Sequence, residues 1–263
     1  MTEGSSTMFL EERYKTILER IKMHGSYRDD RTGVGCMSTF NEHLSWSMAD
    51  GFFPMITGRK MFEKSFRTEF EWFINGETNT KRFREAGVKI WDSWADENGD
   101  LGPVYGHQLR NFNSQSIDQL KAVISSVRDD KDSRRHVISL WNPAQTDEMA
   151  LPPCYLYFQF FVNQYNQVNM FVVQRSGDMF LGIPYDIALF SQILLYVAEQ
   201  AGKLPGKIDL QIVDAHIYLN QFDAVNRYLR EETYIPPMYS YKDSELKIGE
   251  YLHGPVISAP VAV

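Results

Sequence analysis

Two features of the chain could carry chemistry, each defined by residue type and neighbourhood. In LPPCYLYFQF, Cys154 follows Pro152 and Pro153 at the mouth of an aromatic, strand-like run, and Tyr155 comes directly after it. A thiolate at this point would be a nucleophile able to add to an activated double bond and leave again. A free cysteine is otherwise a small apolar core residue. The second feature is arginine: DSRRHVISLWNP holds Arg134 and Arg135 at a strand start, and QRSGDMFLGIPYDIA holds Arg175 beside Ser176 at a strand end. Guanidinium forks with a hydroxyl match the oxygens of a phosphate, whereas scattered on a surface they would pair with the plentiful acids. A cysteine near such arginines is expected to have a lowered pKa, which would supply the thiolate.

These residues need elements to hold them. FLEERYKTILERIKMHG sets Leu10, Tyr14, Ile17, Leu18 and Ile21 at three- and four-residue intervals, which predicts an amphipathic helix ending near Gly25. The charged SYRDDRTGVG reads as a loop, and KMFEKSFRTEFEWFINGE as a second helix. SIDQLKAVISSVRDD predicts a third, capped by its serine and buried along Ile117, Leu120, Ile124 and Val127. IPYDIALFSQILLYVAEQAG is the most apolar helix, entered through Pro184 and closed by Gly202. RRHVISLW, CYLYFQFFV, QVNMFVVQR and KIDLQIVDAHIY favour strands, with NQYNQ as a hairpin turn. Helices and strands intermix without a repeat or a Pro/Gly/Ser-rich linker, which predicts one α+β domain over residues 1–263, its first eight residues flexible. The final HGPVISAPVAV is apolar and punctuated by proline, so it is expected to dock without forming a helix.

Composition narrows the function classes. A chain of 263 residues, 43% hydrophobic and 14% aromatic, can bury a substantial core. Its formal charge of -7 argues against whole-surface attraction to nucleic acid or an anionic membrane, so any anion must be gripped by a local cluster. Two cysteines cannot make a disulfide framework, MTEGSSTMFL lacks the pattern of a secretion signal, and no apolar run reaches the roughly 18 residues of a membrane span. The expectation is a soluble, cytoplasmic protein.

DRTGVG, EWFINGETN, IWDSWADENGDLGPVYGHQLR, DSRRHVISLWNP, LPPCYLYFQF, QRSGDMFLGIPYDIA, DAHIYLNQ and APVAV occur in the order and approximate spacing of one family. From about Phe9 to Val263 the chain resembles the thymidylate synthases. The resemblance implies an α+β fold with a mixed β-sheet packed by helices and a homodimer joined through its sheets. It also implies 5,10-methylenetetrahydrofolate as cosubstrate, no metal, and a small pyrimidine nucleotide as the other partner. Cys154 then attacks C6 of the base, so that C5 becomes the nucleophile that takes up the one-carbon unit. Arg31, Arg134, Arg135, Arg175 and Ser176 correspond to the phosphate grip, with Arg134 and Arg135 supplied by the partner subunit. His216 and Tyr218 correspond to the pair on the sugar 3′-hydroxyl, and Gln174 to a substrate contact. Glu69 corresponds to the glutamate that organises water and proton transfer near C5. Trp91, Trp94 and Tyr105 line the folate side, Tyr105 within the catalytic water network. Asp178 and Gly182 lie by the pterin, Arg59 with Lys60 suits a folate glutamate tail, and Val263 ends the segment that closes over ligands.

Two departures from that family bear on the substrate. Asp186 stands where thymidylate synthases carry the asparagine that reads uracil. Cytosine presents an amine at C4 and an acceptor at N3, the inverse of uracil, and a protonated aspartic acid can meet both. A site with buried polar groups left unpaired rejects an analogue strongly. The same aspartate marks the deoxycytidylate hydroxymethylase branch. Tyr155 replaces the histidine of the water network, either as part of the same switch or as simple packing beside Cys154. The expectation is hydroxymethylation of dCMP, with the folate leaving as tetrahydrofolate. The alternatives are methylation of dCMP or dUMP with release of dihydrofolate, and a non-catalytic nucleotide- or RNA-binding regulator.

Overall fold

Helices form where apolar residues recur at helical spacing, and strands where β-branched and aromatic residues alternate. The computed structural model describes residues 6–30 and 32–262. α1 (Leu10–His24) buries Leu10, Tyr14, Ile17, Leu18 and Ile21, the predicted stripe. After it come β1 (Ser26–Arg28), where a loop was expected, and β2 (Cys36–Ser47), which the sequence reading did not identify. α2 (Glu63–Ile74), α3 (Lys81–Ala86) and α4 (Tyr105–Arg110) follow. α5 (Gln119–Asp129) corrects the expected cap and stripe. Its cap is Asp118, whose side chain accepts from Lys121 N, and it buries Leu120, Val123 and Val127 while Ile117 stays exposed. Starting two residues later than a Ser116 cap would set it leaves Ile117 ahead of the helix.

Of RRHVISLW only Val137–Ser139 pairs, as β3; β4 (Tyr155–Val162) and β5 (Gln167–Asp178) form the expected hairpin around Asn166, whose φ is 58°. α6 (Ile183–Gln200) carries proline in its first turn and is followed by Gly202 at φ 65°. β6 (Leu204–Tyr218), α7 (Phe222–Arg230) and a small hairpin of β7 (Tyr239–Lys242) and β8 (Glu245–Ile248) complete the elements; that hairpin was not anticipated.

The main sheet is mixed, in the order β1-β2-β6-β5-β4-β3. β5 and β6 are parallel, and α6 is the crossover that a parallel pair requires; the other pairings are antiparallel. α6 buries thirteen residues on and around the sheet, and Trp46 of β2 donates to Ser191 of α6 at 2.9 Å. Gly177 sets how closely the helix start can approach, since a Cβ there would lie 2.8 Å from Ile183 Cδ1 and 3.0 Å from Ile212 Cγ2. A buried aromatic such as Trp72, Phe73, Phe158 or Phe190 contributes about 1.5–3 kcal/mol. The core formed this way holds the C-terminal ends of β5 and β6 beside the start of α6, the crevice where open α/β sheets bind ligands. The opposite face of the sheet exposes Phe161 and Phe171. Among the described residues no helix is long and apolar enough to cross a membrane.

Candidate active site

Cys154 sits one residue before β4, and its position is set from both sides. Its N–H donates to Tyr105 Oη at 2.9 Å, and its carbonyl accepts from Arg175 N at 2.7 Å. Prolines offer no N–H, so the carbonyls of Pro152 and Pro153 stay outside the ladder. Arg175 takes both, through Nη2 at 2.8 Å and Nε at 2.9 Å, and faces the Trp141 ring at 5.7 Å. The expected lowering of the Cys154 pKa is corrected here. Burial pushes the thiol up, and the charge of Arg175 and the hydrogen bond from Tyr105 only partly oppose it. Arg134 and Arg135 do not help, because they are exposed at the far edge strand, where Arg134 O accepts from Gln159. Gln159 lies five residues along β4 from Cys154, about 17 Å, beyond the reach of one side chain.

Two buried carboxyls come from different helices. Glu69 of α2 is 8% exposed, and its Oε1 accepts from Trp91 Nε1 at 3.2 Å. Burial, then the charge of Asp186, push Glu69 up to about 8 against that hydrogen bond. Asp186, in the first turn of α6, has its Oδ2 bonded by Gln174 Nε2 at 2.8 Å. Loss of water around it raises Asp186 to about 7 despite the Gln174 bond, with Asp178 adding to the rise. A helix N-terminus favours the ionised form, so desolvation outweighs it here. Both groups therefore hold a proton readily near neutral pH.

Tyr105, Trp91 and Trp94 form a wall. The Trp91 ring lies 5.7 Å from Tyr105 and 5.8 Å from Trp94, and Trp94 Nε1 is buried without a partner among the described residues. The parallel register sets Ser176 opposite Asp214 and Asp178 opposite His216. Asp214 accepts from Ser38 at 2.7 Å and holds His216 Nδ1 at 3.3 Å, with Tyr218 edge-on to the imidazole at 4.9 Å. Asp178 is engaged in its own turn: it accepts from Phe180 N and Leu181 N, both at 2.9 Å, and from Gln221 Nε2 at 2.8 Å. Gly182 closes that turn, its carbonyl accepting from Asp186 N at 3.0 Å.

Arg59 corrects an expectation. It is 4% exposed, donates to Phe180 O at 2.6 Å and stacks on the Phe180 ring at 4.5 Å, so it braces the Asp178 turn instead of offering a surface charge to a glutamate tail. Lys60 beside it is half-buried, and its N–H donates to Pro255 O at 3.1 Å. The last segment is non-helical and docks in part: Ile257 and Ala262 are buried, while Val256 and Val261 are exposed. Arg31 and Val263 lie outside the described residues.

Sequence reasoning missed a buried amide network behind Tyr105. Gln108 donates to Pro103 O and Gln145 Oε1, and Asn142 donates to Gln108, Asn113 and Gln145 at 3.0–3.1 Å. It locks α4 to the loop after β3. Polar amides among apolar neighbours in GHQLR and WNPAQ were its only signal. Glu11 was also missed: its carboxylate accepts from Thr57 N, Thr57 Oγ1, Gly58 N and Tyr228 Oη at 2.6–2.8 Å, fixing the loop that carries Arg59. Among the described residues no group of three or more His, Cys, Asp or Glu could hold a metal ion. A family model described as thymidylate synthase matches residues 12–263.

Proposed function

The chain belongs to the thymidylate synthase family, and from that premise we propose that it hydroxymethylates dCMP at C5. Membership gives the reaction class, folate-dependent one-carbon transfer to a pyrimidine nucleotide with methylenetetrahydrofolate as cosubstrate. The observation that carries the finer reading is the Gln174–Asp186 pair. Because Gln174 donates to Oδ2, that oxygen is an acceptor and a proton on the carboxyl belongs on Oδ1. An acid raised to about 7 thus offers one donor and one acceptor side by side. Cytosine needs both, a donor for N3 and an acceptor for its 4-amino group. An asparagine would offer its amide hydrogens without the pH dependence.

The chain's other groups have matching tasks. Tyr105 and Arg175 hold Cys154 for attack on C6 and oppose the rise that burial imposes on its thiol. Glu69, poised near 8, can hold or release a proton at C5. The folate supplies the methylene carbon. The indole wall and the unpartnered Trp94 Nε1 suit a flat heterocycle with acceptor atoms. His216 and Tyr218 face the sugar, and Arg175 with Ser176 face the phosphate. Arg134 and Arg135 act in the site of a second copy, which fits their distance from Cys154 and the exposed Phe161 and Phe171 on the sheet.

The same indole wall favours a second reading, methylation, since a wall that excludes water would leave hydride from the folate as the trapping agent. Product analysis separates them. Incubating the protein with methylenetetrahydrofolate and either dCMP or dUMP should give hydroxymethyl-dCMP by mass with no dihydrofolate absorbance. A methyl product with dihydrofolate would make it a methylase, and turnover of dUMP alone would remove the assigned role of Asp186.

A further inference from the structure

The Tyr155 hydroxyl has no part in the transfer described above, yet its surroundings are specific. The residue is 3% exposed, and its oxygen is shielded from solvent without a hydrogen-bond partner among the described residues. Four aromatic rings box it: Tyr105 at a centroid distance of 4.5 Å, Phe190 at 5.2 Å, Phe158 at 5.9 Å and Phe73 at 6.0 Å. Phe73 lies one turn beyond Glu69 on α2, and Phe190 one turn beyond Asp186 on α6. The phenol is therefore wedged between the two helices that bear the carboxyls. Across the β4–β5 ladder its partner is Gln174, the residue that bonds Asp186. Gln174 Oε1 is itself buried and unpaired.

An unpaired buried hydroxyl destabilises a free chain, so a bound ligand is the natural partner. A cytosine 4-amino group has two hydrogens, and Asp186 Oδ2 can take one of them. A phenol oxygen can accept the other while passing its own hydrogen onward. We propose that Tyr155 is a specificity-determining residue: with nucleotide bound, its oxygen accepts the second hydrogen of the 4-amino group and its O–H donates to the Glu69 carboxyl. Base recognition is thereby tied to the group that handles the C5 proton. Uracil would present lone pairs at that point, turning the phenol hydrogen toward the base and away from Glu69. The proposal rests on the cytosine reading above.

Tyr155→Phe removes one oxygen from an aromatic box and tests the proposal. The ligand-free variant should melt at or above the wild-type temperature, because an orphaned polar atom is gone. Its affinity for dCMP, measured by calorimetry without folate, should fall by about 10-fold. Affinity for dUMP should change by less than about 3-fold. In release of the labelled C5 hydrogen of dCMP, Tyr155→Phe and Glu69→Gln should be non-additive. Unchanged dCMP affinity, or equal losses for both nucleotides with a lowered melting temperature, would overturn the proposal and leave Tyr155 as packing. If the wild type itself binds dUMP and not dCMP, the cytosine reading falls, a result distinct from failure of Tyr155 in a protein that prefers dCMP.

Discussion

Around Cys154 the groups that would meet the base all come from one chain: Glu69 on α2, Tyr105 on α4, Asp186 on α6, Tyr155 on β4 and Gln174 on β5. Tyr105 bonds Cys154, Gln174 bonds Asp186, Trp91 bonds Glu69, and the tilted rings of Tyr105 and Tyr155 lie 4.5 Å apart. The arginines assigned to the phosphate are arranged otherwise. Arg134 and Arg135 are exposed just before the edge strand β3, and Arg175 is turned onto the carbonyls of Pro152 and Pro153. A base offers a fixed hydrogen-bonding edge and rewards a rigid, dry cradle, which is built cheaply only inside a packed core. A phosphate carries charge that any well-aimed cation satisfies, so its grip tolerates assembly from separate pieces. Burial sets the protonation of the first region; exposure leaves Arg134 and Arg135 of the second in water.

The sharpest break of this contrast is Cys154→Ala. Turnover should fall by more than about 10⁴-fold, while nucleotide affinity by calorimetry stays near wild type, since the cradle and the cations remain. Substantial residual turnover would mean that the pocket works without its nucleophile. Next in size is the double change of Arg134 and Arg135 to alanine, expected to cost about 100-fold or more in kcat/KM for the nucleotide without lowering the melting temperature. If the arginines act across a dimer as proposed, mixing with Cys154→Ala and exchange of subunits should restore about a quarter of wild-type activity, because half the dimers then hold one intact site. No regain would remove the proposed role of these arginines in a second copy's site.

The smallest effect concerns stability. Asp186 and Glu69 bind their protons more tightly folded than unfolded. The stability they add is complete below their ordinary values of 3.8 and 4.5 and is lost as pH rises through about 7 and about 8. Asp186→Asn should therefore melt above the wild type at pH 8, by about 2 °C or more, and converge with it near pH 4. A gap independent of pH would show that Asp186 is ionised in the free chain.

How much of this was legible beforehand depended on whether short-range pattern or long-range packing decides a residue's fate. α1 and α6 announce themselves by period, and Pro184 and Gly202 mark the ends of α6. β2 does not, because MSTFNEHLSWS mixes polar residues into both faces and is interrupted at Asn41, which takes φ 69°. The motifs located Cys154, Asp186 and Glu69. Their protonation was not readable, since it depends on water removed by helices far away in sequence. The Cys154 expectation failed for that reason: it counted arginines by type, and among the described residues Arg175 is the one arginine that acts on the thiol. Arg59 failed likewise, a basic residue on paper that the Phe180 turn draws inside.

β6 lies between β2 and β5, so each of those strands gains its second neighbour only from residues 204–218. Residues 36–47 must then wait through more than half of the chain for their partner. During synthesis the nucleophile and both carboxyls emerge before the strand that orders the sheet, and closing so long a loop makes the search slow. Two unpaired strand edges persist through that interval. The late arrival of β6 makes the growing chain most prone to aggregation just before it becomes able to bind a nucleotide.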